Sequence, residues 1–222
     1  MNASPELTFG FIALPVLLAL FLGAICRSWR ILAAALLWLA FTGAIAASGF
    51  LTDFSARPPR LLLLLGPTFL LTFILSFSSL GSRLMKLPLA LLVGYQAFRI
   101  VIELLIHQAV VEGVAPPQMT WSGFNWDIAS GITALMLAPW VSKAPRYVVL
   151  VWNTLALALL LCVVTVAILS VPGPFQQMKP DNTWVAYFPF VWLPTVAVVA
   201  ALLGHIAVYR KLWQISKAVK NT

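Results

Sequence analysis

Residues 95–127 read YQAFRIVIELLIHQAVVEGVAPPQMTWSGFNWD, and this stretch decides how the rest of the chain can fold. It begins as an apolar helix pattern that carries Arg99, Glu103 and His107, and it ends in a loop with Asn125 and Asp127. Apolar runs flank it on both sides, because 62% of the 222 residues are hydrophobic and only 9% are charged. A soluble domain carries about 25% charged residues. We therefore predict an all-α integral membrane protein whose main partner is the lipid bilayer.

Apolar runs of about 20 residues, the length that a helix needs to cross the hydrocarbon core, recur along the chain. We count seven, and we assign them to one transmembrane domain that covers residues 1–222. The fifth run is the shortest, and at about 1.5 Å per residue it is only about 22 Å long as a helix. The predicted spans are residues 7–26, 31–50, 61–79, 87–111, 127–141, 147–171 and 185–209.

The basic residues between the runs predict how the chain is threaded. No Lys or Arg precedes the first run, whereas Arg27 and Arg30 follow it, which favours an uncleaved first span. One set of alternate gaps, with the C-terminal tail, holds ten Lys and Arg residues, and the other set holds three. Cytoplasmic loops are enriched in basic residues. We therefore expect the N-terminus outside and the C-terminus in the cytoplasm.

The net charge of +8 does not indicate a nucleic-acid partner, because the basic residues lie between the apolar runs instead of forming one soluble face. Several cofactors are also unexpected. Retinal would need a lysine within a span, and two haems would need four histidines, whereas the chain has no such lysine and only two histidines. A metal site of Glu103, His107 and Asp127 would lack a fourth ligand. We expect neither a metal nor another cofactor.

Four polar side chains of the fourth span share one helix face. At about 100° per residue, Arg99, Glu103, His107 and Gln96 fall within about 80° of one another. An unpaired Arg at mid-membrane costs roughly 2.5–3.5 kcal/mol, so this stripe should face the bundle interior. Its spacing predicts an Arg99–Glu103 ion pair with His107 nearer the outside.

The loop after this span adds candidate residues to the same outer mouth. Asn125 and Asp127 precede the fifth span, and Trp121 lies shortly before them. A binding role competes with a local one, because Asn is a common helix N-cap and Asp in the first turn suits the helix dipole. His107 can likewise be a ligand or proton carrier, or it can be satisfied by a backbone carbonyl.

Residues 98–134 carry the pattern FRxxxELxxHxxxxxGxxPxxMTWxGxNxDIxxGxTA. This pattern resembles one found in uncharacterised bacterial multi-pass membrane proteins, and it covers about a sixth of the chain. The resemblance implies a protein of the bacterial inner membrane. It implies no activity.

Three functions are open on these observations. The first is binding or translocation of a small polar solute or of protons through an outward-facing cavity around Arg99, Glu103, His107 and Asp127. The second is a non-catalytic sensor or scaffold subunit that recruits another membrane subunit through the basic tail RKLWQISKAVKNT, residues 210–222. The third is a membrane-embedded enzyme that acts on a lipid-linked substrate.

Overall fold

Helices make up every regular element of the described chain. The computed structural model describes residues 2–220, and it contains no strand within that range. The prediction of an all-α protein is therefore confirmed. In chain order the α-helices are α1 Pro5–Ile25, α2 Trp29–Ala47, α3 Arg60–Phe77, α4 Ser79–Met85, α5 Leu89–Gly94, α6 Phe98–Val111, α7 Ile128–Leu137, α8 Arg146–Leu169 and α9 Val198–Lys220.

Six helical segments of the described residues are long and apolar enough to cross a membrane. Large apolar side chains point away from the protein along them: Leu37 on α2 is 71% exposed and Leu70 on α3 is 62% exposed. Apolar surface of this extent needs a covering, and lipid supplies it. The chain is a multi-pass membrane protein. The six segments are Pro5–Ile25, Trp29–Ala47, Arg60–Phe77, Leu89–Val111, Arg146–Leu169 and Leu193–Lys217.

The fifth predicted span, residues 127–141, is a short helix in the structure. Its helical part, α7, has ten residues, which is about 15 Å at about 1.5 Å per residue. The helix ends at Leu137 because Pro139, two residues later, has no backbone N–H with which to continue the helical hydrogen bonds. Residues 112–127, which lead into α7, are non-helical except for the 3₁₀ turn Pro117–Met119.

The short helix α7 lies directly on the fourth span. It contacts α5, the 3₁₀ turn Tyr95–Ala97 and α6. A Cβ at Gly131 would stand 2.9 Å from the backbone nitrogen of Ile100. The missing side chain at Gly131 is therefore what allows α7 to approach the backbone of α6.

The last span begins later than predicted and ends later as well. Residues 184–192 form turns that include Pro189, and the helical segment begins with a π-helical turn, Leu193–Ala197, before it continues as α9. Proline removes a backbone donor and cannot continue a helix from the preceding turn. At the other end α9 continues to Lys220, through much of the sequence predicted to be a tail.

The two ends of the bundle differ in charge. We call the end at which α1 meets α2, α3 meets α4 and α8 begins the basic end, and we call the opposite end the loop end. Residues 48–59, 112–126 and 170–192 lie at the loop end. There Ser4 donates hydrogen bonds from its backbone nitrogen and from Oγ to the two carboxylate oxygens of Glu112, at 2.8 and 2.7 Å. This contact fastens the start of α1 to the end of α6.

Several basic side chains at the basic end bind carbonyls of the same chain. Arg83 Nη1 donates to the carbonyl of Cys26 at 3.0 Å, and Arg210 Nη1 donates to the carbonyl of Ser76. Lys211 Nζ lies 3.0 Å from the carbonyl of Met85. Cations suit the free carbonyls at helix C-termini. The first two residues of the predicted recruiting tail therefore stabilise the protein's own helix ends.

Candidate functional site

Arg99 is the centre of the buried polar cluster, and its main partner is Asp127. Arg99 is only 2% exposed. Its Nε donates to Asp127 Oδ2 at 2.6 Å and its Nη2 donates to Asp127 Oδ1, which makes a two-point guanidinium–carboxylate pair. The pairing of Arg99 with Glu103 that the helix spacing predicts is thus replaced by a pairing with a residue from the next element.

Asp127 can reach Arg99 because it sits directly before the first residue of α7. The N-terminus of a helix carries a partial positive charge that favours a carboxylate. Ser130, in the first turn of α7, adds a longer hydroxyl contact of 3.5 Å to Asp127 Oδ1. Since Gly131 holds α7 against α6, the pair lies at the contact of these two helices.

His205 completes the coordination of the guanidinium from α9. Arg99 Nη1 lies 2.9 Å from His205 Nε2, and Arg99 Nη2 donates to the carbonyl of Ala156 at 3.0 Å. Because a guanidinium can only donate, His205 Nε2 accepts, and its Nδ1 then donates to Asn153 Oδ1 at 2.8 Å. Asn153 Nδ2 returns a bond to the carbonyl of His205 at 3.2 Å.

His205 and Asn153 were missed as members of the site. The sequence places both alone in otherwise apolar spans, which suggests an isolated histidine near the cytoplasmic end and a single interhelical hydrogen bond. Both side chains are 0% exposed. A general rule could have indicated them: a polar residue within a span faces the bundle interior and contacts another polar residue there.

Glu103 lies one turn after Arg99 on α6 and has a different partner. Asn125 Nδ2 is 2.8 Å from both carboxylate oxygens of Glu103 and 2.9 Å from the carbonyl of Met119. Among the side chains that the structure describes, no Lys, Arg or His nitrogen is within 4.0 Å of this carboxylate. Glu103 is 1% exposed. It is therefore a buried acid that is held by a neutral amide.

Asn125 connects the two carboxyl groups. Its Nδ2 binds Glu103, and its Oδ1 accepts the backbone N–H of Asp127 at 3.0 Å. The expected N-cap role is absent, because Asp127 occupies the cap position of α7. The prediction that Asn125 and Asp127 join the polar stripe agrees with this geometry.

His107 and Trp121 form a separate part of the stripe, nearer the loop end. Their rings stack with centroids 4.2 Å apart and planes at 18°, and His107 Nδ1 is 3.4 Å from Thr120 Oγ1. Both residues are half-buried. No hydrogen bond between described atoms joins His107 to Glu103, so these two residues share a helix face without a direct contact between their polar groups.

Gln96 faces α9 and lies outside the cluster. Its Nε2 donates to the carbonyl of Ala201 at 3.1 Å, and the hydroxyl of the neighbouring Tyr95 donates to the carbonyl of Ala200 at 2.5 Å. A Cβ at Gly204 would overlap the Tyr95 hydroxyl, so the bare backbone of α9 makes room for both side chains. We assign Gln96 a packing role.

A cavity of about 70 Å³ reaches the cluster. Arg99, Glu103 and Asp127 line one part of it, and apolar side chains of α3, α8 and α9 line most of the rest. Asn182, from the loop end, lines it as well. Asn182 is fully buried; its Nδ2 donates to the carbonyl of Ala167 at 3.1 Å, while its Oδ1 has no hydrogen-bond partner. A volume of this size accommodates a few water molecules.

Within residues 2–220 no group of three or more His, Cys, Asp or Glu side chains is arranged to hold a metal ion. Glu103, His107 and Asp127 have other partners: Asn125, Trp121 and Arg99 respectively. Comparisons of this chain with known protein families, with curated proteins and with solved structures gave no match. What the site can do is therefore argued from its geometry.

Proposed function

We propose that this protein binds protons, and passes them on, at a polar centre within the membrane that is reached from the outer side. The observation that carries the proposal is the position of Glu103, which lines a cavity deep in the bundle without a cation against it. Ionisable residues within membrane spans mark ion or proton pathways by default, because burying them is costly. We place the protein in the bacterial inner membrane, as the resemblance of residues 98–134 implies.

The threading that we propose has the N-terminus outside, the C-terminus in the cytoplasm and seven crossings. Residues 112–127 together with α7 make the fifth crossing. Two observations support this. The helix α6 ends at the loop end, where Glu112 contacts Ser4, and α8 begins at the basic end. Non-helical backbone is tolerated at membrane depth when protein buries it, and Met119, Thr120 and Asn125 are all buried.

The charged groups of the centre divide into a fixed pair and an exchangeable acid. Arg99 and Asp127 neutralise each other, and every nitrogen of the Arg99 side chain has a partner in the protein. Glu103 has only amide donors, so gain or loss of a proton there changes the net charge of the centre. A carboxyl group with this freedom suits proton exchange better than the fixed pair does.

Asn182, which lines the cavity from the loop end, supports a path from the outer side to Glu103. Its orphaned Oδ1 can accept a hydrogen bond from a molecule in the cavity that Glu103 also lines. Buried polar atoms in native proteins nearly always have a partner, and water often supplies it. A few waters between Asn182 and Glu103 would form a proton path, whereas a cavity of about 70 Å³ leaves little room for a larger solute.

Proton flux into vesicles tests the proposal. Purified protein is reconstituted into liposomes with a pH-sensitive dye inside, and a potassium diffusion potential drives protons inward. We expect acidification above the rate of protein-free liposomes, and Glu103→Gln should reduce it to that background. The matched control is Asp53→Asn, which removes a partly exposed carboxylate at the loop end and should leave the flux unchanged.

Two results would overturn the proposal: wild-type protein with background flux only, or Glu103→Gln with wild-type flux. Gel filtration and thermal unfolding in detergent establish that each variant is folded. If Glu103→Gln does not fold, Asn182→Ala serves as the second variant, and we expect it to slow the flux because it removes the free acceptor.

A scaffold function is the second candidate, and the satisfied Arg99 favours it. The Arg99 guanidinium donates to Asp127, His205 and the carbonyl of Ala156. These bonds join α6, α7, α8 and α9 without a ligand. On this reading the protein shows no flux. Its partner surface would lie beyond Lys211, since Arg210 and Lys211 are bound within the chain.

A further inference from the structure

A second and larger cavity lies towards the basic end of the bundle. Its volume is about 520 Å³, and α1, α2, α3, α5 and α9 form its walls. Small-molecule sites in proteins have volumes of roughly 300–1,000 Å³. The cavity shares no lining residue with the one that reaches Glu103. Whatever it holds is therefore separate from the proposed proton site.

The interior of this cavity is suited to hydrocarbon. Leucine, alanine, valine and isoleucine contribute most of its lining. Several polar groups along the wall bond to backbone carbonyls of the protein itself: Thr72 Oγ1 donates to the carbonyl of Thr68 at 2.7 Å, and Trp38 Nε1 donates to the carbonyl of Thr195 at 3.0 Å. Since the donors of these groups are already bonded to backbone carbonyls, an alkyl chain fits the cavity better than a polar solute.

The cavity has a lateral opening between α2 and α3. Ala34 on α2 and Leu71 on α3 both line the cavity and are both exposed. The principal neighbour of α2 is α1, whereas α3 packs mainly on α9 and α4. The gap between α2 and α3 thus faces the surrounding lipid, and an acyl chain can enter from the side.

A basic residue stands at the mouth of the cavity. Arg30, in the first turn of α2, lines it and is exposed. Among the described atoms Arg30 has no hydrogen bond or carboxylate contact, and its guanidinium carbon lies 5.8 Å from the centroid of the neighbouring Trp29 ring. Of the six acidic residues in the sequence none lies in the segments that form the basic end; they are Glu6, Asp53, Glu103, Glu112, Asp127 and Asp181. The positive charge of this end is therefore left for a partner outside the protein.

We propose that this cavity is a binding site for an anionic phospholipid, with an acyl chain between α2 and α3 and the phosphate at Arg30. Two independent features select this occupant: the apolar interior accepts the chain, and Arg30, which has no carboxylate partner among the described residues, accepts the headgroup. Basic pockets between membrane helices on the cytoplasmic side are a recognised lipid-binding arrangement.

The test is lipid retention measured by native mass spectrometry of the purified full-length chain. Phosphatidylglycerol and phosphatidylcholine with identical acyl chains are supplied in equal amounts. The wild-type protein should retain more phosphatidylglycerol. Arg30→Gln should reduce that preference about fivefold, which corresponds to about 1 kcal/mol for one basic residue at a lipid surface. The matched control Lys143→Gln removes a charge at the same end, outside the cavity, and should keep the preference.

A second pair of variants tests the chain-binding part. Ala34→Phe puts a ring into the cavity and should abolish retention of both lipids, whereas Ala40→Phe, exposed on the same helix but outside the cavity, should retain them. Equal retention of both lipids by the wild type, or unchanged retention by Ala34→Phe, overturns the proposal. Because neither Ala34 nor Arg30 lines the cavity that reaches Glu103, neither result depends on the outcome of the flux measurement.

Discussion

At the scale of single residues, Arg99 shows what helix spacing can and cannot predict. The pattern predicts correctly that Arg99 and Glu103 are buried on one face of a membrane helix. It also predicts that they pair, and there it is wrong. Asp127 supplies two oxygens to two guanidinium nitrogens, a geometry that holds an arginine firmly. Periodicity reports neighbours on one helix, and the competing partner lies 28 positions away.

The Arg99–Asp127 pair leads to a stability prediction. Arg99→Leu leaves the Asp127 carboxylate buried without its counter-charge, and we expect a loss of roughly 3–5 kcal/mol. Arg99→Leu combined with Asp127→Leu removes both charges and should recover most of that loss. Thermal unfolding of the purified variants in detergent measures the difference.

The control for this prediction is Arg57→Leu, which replaces an arginine of the loop between α2 and α3 and should change the midpoint little. A double variant as unstable as Arg99→Leu alone would contradict the account. It would mean that His205 and the carbonyl of Ala156, and not Asp127, are the contacts that matter.

At the scale of elements, the long helices were predictable and the short ones were not. The boundaries of α1, α2, α3 and α8 lie close to the predicted spans because a continuous apolar run leaves a helix as the main solution in lipid. The fifth predicted span could not be predicted this way, since the segment that leads into α7 is held by buried hydrogen bonds from Asn125 to Glu103 and to the carbonyl of Met119. The bond to Glu103 joins residues 22 positions apart, and hydropathy does not report it.

The contact between α1 and α6 predicts a pH dependence. Hydrogen bonds from the backbone N–H of Ser4, from the side chain of Gln108 and from the Ser4 hydroxyl hold the pKa of the Glu112 carboxyl below its usual range. A lowered folded-state pKa gives stability that is present above the unfolded-state pKa and is lost as the pH falls through the folded-state value.

Glu112→Gln should therefore lower the thermal midpoint at neutral pH, and the difference from wild type should shrink as the pH is lowered below the usual carboxyl range. Glu6→Gln, an acidic residue in the first turn of the same α1, is the control. A difference that stays constant between neutral and acidic pH would show that the charge of Glu112 is irrelevant.

At the scale of the whole molecule, composition and loop charge predicted a multi-pass membrane protein and two unequal ends. The structure adds that part of this charge has a local use, because Arg83, Arg210 and Lys211 bind carbonyls at helix ends. A count of basic residues gives a direction for the bundle, but it does not separate residues that cap helices from those that face lipid headgroups. Only the three-dimensional structure separates these two groups of basic residues.

Cysteine labelling tests the threading. In a background with Cys26 and Cys162 replaced by alanine, single cysteines are placed at Ser122, in the loop after α6, and at Lys143, just before α8. A membrane-impermeant maleimide applied to intact cells should label Ser122→Cys, and it should label Lys143→Cys only after the membrane is opened. Labelling of both from one side would contradict seven crossings and make α7 a segment that enters and leaves by the same face.

The partners of Arg99 also impose an order of assembly. α6 is synthesised long before the residues that satisfy it: Asp127 follows after 28 positions and His205 after 106. Until the later segments have been synthesised, Arg99 lacks these hydrogen-bond partners. A nascent chain that stops before α9 lacks the His205 contact, so the Arg99 guanidinium has its full set of partners only once the last helix has joined the bundle.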